Sequence, residues 1–172
     1  YWLVRMLDGG CDPSYLARRL VRMAIEDVGL GDPRALAMAI DAWQTFERLG
    51  SPEGDLALAQ LAVYLALAPR SNAVYRALGR VRAEIVETGT LAVPLAIRNA
   101  PTRLLKELGY GRDYVYDHDV EGGVAIGQQC LPDELAGRSY YEPVPRGLEL
   151  KLKEKLDALR RARGLDPDTP AA

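Results

Sequence analysis

The chain has 172 residues, of which 48% are apolar, and a formal net charge of −2. Its length is typical of one globular domain, and its balanced charge argues against a surface that coats nucleic acid or membrane as a whole. The two cysteines, Cys11 and Cys130, are too few and too widely spaced for a disulfide framework or a zinc cluster. They indicate a reducing, cytoplasmic compartment.

The pattern divides the chain into three parts. Residues 1–10 are predicted to be the end of a helix that starts upstream, residues 11–163 one helical domain, and residues 164–172 a disordered polar tail. The fold is predicted to be all-α, a helical bundle with a loop-rich segment and a C-terminal helix.

Helix starts before residue 89 are marked by an Asp or Ser followed by Pro. The Asp or Ser side chain supplies a capping oxygen, and the Pro suits the first turn of a helix. These pairs are Asp12-Pro13, Asp32-Pro33 and Ser51-Pro52. Gly29 and Gly50 are predicted to end the first two helices, and Pro69 the third. Ser71 then caps a fourth helix that runs to Thr88.

The helix that starts at Pro13 has an apolar side and a basic side. Its apolar side is predicted to contain Leu16, Leu20, Met23 and Ala24. Its other side carries Arg18, Arg19 and Arg22, and Arg22 can pair with Glu26 one turn later. Two interpretations of these arginines stay open, a solvated face and a ridge that faces phosphate groups.

The segment Leu56 to Ala68 is apolar on every side except at Gln60 and the phenol of Tyr64. It is predicted to be buried all round, and it is shorter than the ~20 residues that cross a bilayer. A core helix or a subunit interface then remains. The candidate core or interface residues are Leu61, Tyr64, Leu65 and, in the next helix, Tyr75.

After Gly89 the sequence predicts a short helix from Pro101 to Leu108 and a basic group next to three tyrosines. The basic group, a candidate for DNA contacts, is Arg98, Arg103, Lys106 and Arg112. The tyrosines are Tyr110, Tyr114 and Tyr116. Basic and aromatic side chains together suit single-stranded nucleic acid, but tyrosines also pack half-buried loops, and the nearby aspartates favour packing.

His118 lies between Asp117 and Asp119, which suggests a metal site, but alternate residues of an extended segment would point His118 away from the two carboxylates. Loops are predicted to follow, with a short hairpin near Ser139 to Tyr141. The last helix is clearer, because four leucines form one stripe. They are Leu148, Leu152, Leu156 and Leu159.

A nucleotide-binding P-loop needs a lysine directly after a glycine. The four lysines are Lys106, Lys151, Lys153 and Lys155, and none of them follows a glycine. The acidic pair Asp133-Glu134 follows Pro132, which does not suit a central strand, so this pair is interpreted as a loop or a helix start. No catalytic, cofactor-binding or metal-binding residue is therefore assigned.

Several stretches carry a family resemblance. They are GGCDPSYLARRLVRMAIEDVGLGDPRAL at residues 9–36, LAPRSNAVYRALGRVRAEI at 67–85, VPLAIRNAPTRLLKELGYGRDYVYDHD at 93–119 and RSYYEPVPRGLELKLKEKL at 138–156. From Tyr1 to about Arg163 the chain resembles the C-terminal part of the AAA+ ATPases called replication-associated recombination protein A (RarA or MgsA). These are relatives of the Werner helicase-interacting protein.

The resemblance implies a clamp-loader-collar-like helical domain that forms a homotetramer and follows an AAA+ motor and a helical lid, whose last helix residues 1–10 would end. It also implies a full-length protein that binds ATP and Mg²⁺ through its motor. That protein would bind single-stranded or fork DNA, cooperate with single-strand binding protein and rescue stalled forks at the nucleoid, without a membrane.

Two other hypotheses remain. One is a helical module that binds a different protein, and the weaker one is a metal-dependent hydrolase built on the acidic loop around His118.

Overall fold

The computed structural model describes residues 1–164, which contain seven α-helices and no β-strand. This finding confirms the all-α prediction. The helices are α1 (Trp2–Asp8), α2 (Pro13–Met23), α3 (Arg34–Leu49), α4 (Asp55–Leu67), α5 (Ala73–Thr88), α6 (Arg103–Glu107) and α7 (Glu149–Ala162). The predicted disordered tail from residue 165 onward lies outside the described residues.

The chain forms two compact units, and the boundary between them falls within α5 and within α7. The first unit comprises Tyr1–Leu78 and Tyr141–Glu154. The second comprises Gly79–Tyr140 and the described residues from Lys155 onward. Each unit has its own internal hydrogen bonds.

Three of the predicted helix caps are confirmed in the first unit. Asp12 accepts a hydrogen bond from the Ser14 N–H at 2.9 Å, and Asp32 accepts one from the Arg34 N–H at 3.2 Å. The Ser71 hydroxyl accepts from the Ala73 N–H at 3.1 Å, and α5 ends at Thr88 as predicted. These side chains satisfy N–H groups that a helix leaves without an internal partner.

The helix start predicted at Ser51-Pro52 is wrong, because residues 51–54 form a turn and α4 begins at Asp55. The Ser51 hydroxyl donates to the Asp55 carboxylate at 2.8 Å. Gly54 is buried in this turn, and a Cβ added to it would lie 2.9 Å from the Phe46 Cα. The close approach to α3 therefore requires glycine there. The turn is closed by hydrogen bonds from the Gly54 N–H to the Gly50 carbonyl at 2.6 Å and from the Asp55 N–H to the Pro52 carbonyl at 3.2 Å, and the regular helix follows it.

Helices α2, α3 and α4 form the core of the first unit. Leucines of α4 meet a seam of alanines on α3, and α2 contributes Leu20 and Ala17. The alanine seam is Ala35, Ala39 and Ala42, and the facing leucines are Leu58, Leu61 and Leu65. Small residues on one helix allow the larger side chains of the other to fill the space between the helix axes.

Beyond Met23, helix α2 widens into a π-helical turn, Ala24–Val28, that ends at Gly29 with φ +49°. Ala24 and Val28 are both buried on this turn. Of the stripe predicted for α2, Leu16, Leu20 and Ala24 are buried and Met23 is exposed. The prediction for Met23 is wrong, because this last residue of the regular helix is 37% exposed.

The prediction that α4 is buried all round is wrong for this chain by itself. Leu58, Leu61 and Leu65 are buried, whereas Leu56, Val63 and Leu67 are exposed. Helices α2 and α3 both pack against the same side of α4, so they cover only that side.

A buried carboxylate joins the start of α7 to the start of α5. Glu149 has no exposed surface, and its carboxylate accepts from the Ser71 hydroxyl at 2.8 Å and from the Val144 N–H at 2.7 Å. The Leu148 N–H donates to the Gly31 carbonyl at 2.9 Å. Gly147 has φ +55°, and a Cβ there would lie 2.0 Å from the Gly31 oxygen, so only glycine permits this approach.

In the second unit, polar side chains hold loops in place. Arg80 donates to the Tyr140 carbonyl at 3.1 Å, and Arg160 donates to the Ser139 hydroxyl at 2.7 Å. The short helix predicted after Pro101 is present as α6, and the pair Asp133-Glu134 lies in a 3₁₀ turn. The hairpin predicted near Ser139 is wrong, because these residues pair with side chains rather than with a second strand.

The last helix is confirmed as α7, with Leu152, Leu156 and Leu159 half-buried and Leu148 exposed just before its start. Among the helices of residues 1–164, none is long and apolar enough to cross a membrane.

Replacing Glu149 with alanine should lower the free energy of unfolding by roughly 3 kcal/mol, because the Ser71 hydroxyl and the Val144 N–H lose their acceptor inside the protein. Glu149→Gln should cost less, since the amide keeps one oxygen acceptor. Urea denaturation measures both effects, and Glu154→Ala, at an exposed position of the same helix, is the control. Equal stabilities for Glu149→Ala and this control would show that the buried carboxylate does not stabilise the fold.

Candidate subunit interface

Helix α4 has two apolar faces on opposite sides. Leu56, Val63 and Leu67 lie on the outer one, at spacings of seven and four residues, with Gln60 between them. Their exposed fractions are 73%, 61% and 82%. We call this row of four residues the outer stripe of α4.

The inner face of α4 fixes the outer stripe in space. Leu58, Leu61 and Leu65 anchor the helix in the core, so the outer stripe is presented by a packed element rather than by a mobile loop. Alanines, among them Ala59, Ala62 and Ala66, border the stripe and would let another helix approach closely. Burying an exposed Leu or Val stabilises an assembly by roughly 1.5–3 kcal/mol per side chain, so this surface favours association.

A polar cluster lies at the edge of the outer stripe. Asp32 is buried, and its two carboxylate oxygens each accept from the Arg34 guanidinium at 2.8 Å. The Tyr64 hydroxyl donates a short hydrogen bond to the same carboxylate. An open groove continues from this cluster between Met38 and Val63, so polar and apolar surfaces meet there.

The electrostatics of this cluster follow from the hydrogen bonds. The Arg34 guanidinium, chiefly through its hydrogen bond, lowers the pKa of Asp32 from 3.8 to about 2, although burial acts in the opposite direction. Donation to this carboxylate raises the pKa of the Tyr64 phenol, because the phenolate form would lose the bond. The cluster therefore keeps one acid ionised and one phenol protonated at neutral pH.

The predicted core or interface residues fall into three environments. Leu61 and Leu65 are core residues, and Tyr64 packs against the core with its hydroxyl on Asp32. Tyr75 is 60% exposed on α5. The sequence does not predict the outer stripe, because a helix that is apolar on all sides does not show which side other helices of the chain will bury.

The members of the predicted basic group differ in their partners. Arg98 lies over the Tyr110 ring, 5.1 Å from its centroid, and donates to the Val93 carbonyl at 2.6 Å. Arg103 pairs with Glu107 at 2.8 Å. Lys106 and Arg112 are exposed. Two of the four cations thus have partners within the second unit.

His118 lies in an exposed 3₁₀ turn and not in an extended segment, so the predicted alternation of side chains is wrong there. The Asp117 carboxylate accepts from the Ala125 N–H at 2.7 Å, which ties this acid to the loop. No group of three His, Cys, Asp or Glu side chains within residues 1–164 is placed to hold a metal ion.

Comparison with known proteins identifies the family. The family model described as "MgsA AAA+ ATPase C terminal" matches residues 1–160. The chain belongs to this MgsA C-terminal family. This family match confirms the resemblance seen in the sequence.

Relatives of this MgsA C-terminal chain occur in bacteria and in a eukaryote. It is 61% identical to replication-associated recombination protein A of Coxiella burnetii over 94% of the chain and 50% identical to that of Escherichia coli K12 over 91%. It is 42% identical to ATPase WRNIP1 of Dictyostelium discoideum over 83% of the chain. The matches cover 37%, 35% and 16% of these relatives, so the chain spans about a third of the bacterial ones.

The lowered pKa of Asp32 predicts a pH-dependent contribution to the stability of the MgsA C-terminal chain. The folded-state pKa lies below the unfolded value of 3.8, so this contribution is fully present above about pH 4 and is lost as the pH falls through about 2. At pH 7, Asp32→Asn should lower the free energy of unfolding by about 2 kcal/mol. The difference from wild type should shrink between pH 4 and pH 2.

Chemical denaturation at pH 7, 4 and 2.5 measures this difference. Asp41→Asn, at an exposed position of α3, is the control and should change the stability by less than about 0.5 kcal/mol. A cost for Asp32→Asn that is the same at all three pH values would contradict the ionic origin of the contribution.

Proposed function

We propose that this chain is the homo-oligomerisation domain, forming a tetramer, of a DNA-dependent AAA+ ATPase that acts in replication, recombination and the rescue of stalled forks. The outer stripe of α4 supports assembly, because it places Leu56, Val63 and Leu67 in water on a rigid helix. The printed names of the bacterial relatives, replication-associated recombination protein A, support the biological setting.

The ATPase activity of the full-length protein would reside outside this chain. None of its four lysines follows a glycine, so a P-loop of the usual kind is not encoded between residues 1 and 172. ATP and Mg²⁺ would bind to the motor, and this domain would set the number and spacing of the motors. Self-association of the domain would therefore act on catalysis by bringing motors together.

Partners of the assembled protein would be DNA, single-stranded or at a fork, and single-strand binding protein, at the nucleoid. Lys106 and Arg112, which are exposed and form no ion pair within residues 1–164, remain proposed DNA contacts. A helical module that binds a different protein is the competing function, and it predicts a monomer until that partner is added.

Light scattering on a sizing column across a dilution series tests the assembly. A mass of four 18.9 kDa chains that persists on dilution supports the proposal. A monomer at every concentration contradicts it and favours the module that binds a different protein.

Two neighbouring positions on α4 should respond differently to an aspartate. Leu61→Asp places an unpaired charge in the core and should lower the free energy of unfolding by more than 3 kcal/mol. Val63→Asp leaves the isolated chain folded, because Val63 points into water, but buries a charge in the proposed interface. Its mass should fall to that of a monomer at concentrations where wild type is a tetramer.

Circular dichroism and light scattering distinguish these outcomes. Gln44→Asp, which adds the same charge to an exposed position of α3, should change neither helicity nor mass. A Val63→Asp variant that stays tetrameric would exclude the outer stripe from the interface.

A further inference from the structure

The face of α2 that points away from the core is basic and has no acid of its own. The helix sequence PSYLARRLVRM contains three arginines and neither Asp nor Glu. Arg18, Arg19 and Arg22 are all exposed, while Leu16, Ala17 and Leu20 hold the opposite side in the core. The three cations are therefore carried by a helix whose rotation is fixed by packing.

Two of these cations have no anionic partner within residues 1–164. Among residues 1–164, no carboxylate forms an ion pair with Arg18 or Arg19, whereas Arg22 pairs with Glu26 at 2.8 Å. Arg18 and Arg22 lie one turn apart, where like charges destabilise a helix by a few tenths of a kcal/mol. A bound polyanion would remove this repulsion.

An aromatic ring lies on the same face. Tyr15 is 43% exposed and lies one turn before both Arg18 and Arg19. Rings next to unpaired arginines offer stacking surface and positive charge together.

We propose that this face of α2, formed by Tyr15, Arg18, Arg19 and Arg22, binds single-stranded DNA. The arginines contact the phosphates and the Tyr15 ring stacks on a base, which a paired duplex does not present. This inference rests on the proposed function, in which the full-length protein acts on DNA, and it assigns a DNA contact to the C-terminal domain itself.

The test uses fluorescence anisotropy with a labelled 30-nucleotide dT oligomer between 50 and 200 mM NaCl. For single strands, the slope of log K against log salt is about −0.7 for each phosphate contact. The double variant Arg18→Ala/Arg19→Ala should reduce the slope by about 1.4 and weaken binding by about tenfold or more at 50 mM salt. The double variant Arg48→Ala/Arg82→Ala removes the same charge from exposed positions elsewhere and should keep the wild-type slope.

Tyr15→Leu should weaken binding of the dT oligomer several-fold and leave binding of a 30-base-pair duplex unchanged. Equal effects on the two DNAs, or no effect on either, would overturn the assignment to single strands. Any of three results would overturn the whole inference. They are a wild-type chain that does not bind the oligomer, an unchanged salt slope in Arg18→Ala/Arg19→Ala, and an equal loss of affinity in the control variant.

Light scattering on the same samples separates this inference from the proposed assembly. If the chain is a tetramer but its DNA binding does not depend on Arg18 and Arg19, only the proposed α2 contact is contradicted. A monomer that binds DNA through these arginines contradicts only the assembly.

Discussion

The first unit depends on one buried carboxylate. Glu149 has no exposed surface, yet its two hydrogen bonds reach a helix start, at Ser71, and a loop, at Val144. A carboxylate in such a place stabilises a fold only when its partners are present, because an unsatisfied buried acceptor is costly. The bonds therefore fix where α5 begins and where α7 begins, although these residues are far apart in sequence.

Close backbone contacts lie around Glu149 and hold the same segments together. We call these contacts and the two hydrogen bonds of the Glu149 carboxylate the Glu149 joint. Gly147 approaches the Gly31 carbonyl, and the Ser71 N–H donates to the Asp27 carbonyl at 2.9 Å. The joint thus connects the end of the π-helical turn after α2, the segment before α5 and the start of α7. With these segments in place, α2 and α3 pack on the inner face of α4 and leave its outer stripe uncovered.

The sequence predicts the features that depend on neighbouring residues. Helix starts at Asp12 and Ser71 and the end of α5 at Thr88 follow from capping and turn chemistry, which is local. The predicted start of α4 is wrong because a turn at residues 51–54, in which Gly54 packs closely against Phe46, precedes the helix. Glu149 resembles any acid in the first turn of a helix, and nothing nearby in the sequence reveals its partner Ser71.

The candidate interface is predictable only in part for a related reason. Composition shows that α4 has more apolar residues than a helix with one side in water usually has. The packing of α2 and α3 decides that Leu61 is buried and that Val63 is exposed. For the basic residues, grouping in the sequence likewise does not predict which side chains have partners. The four cations around α6 are grouped in sequence, yet Arg98 and Arg103 have internal partners. Arg18 and Arg19 on α2 form no ion pair with any described residue.

Native-state hydrogen exchange of three backbone amides tests most directly whether the Glu149 joint organises the first unit. These are the amides of Ser71, Val144 and Leu148, which donate to Asp27, Glu149 and Gly31. If the joint is part of the cooperative core, they should exchange as slowly as the amide of Leu61, with opening free energies close to that of global unfolding. Exchange as fast as that of the exposed loop around His118 would contradict this and would show that α7 is only loosely attached.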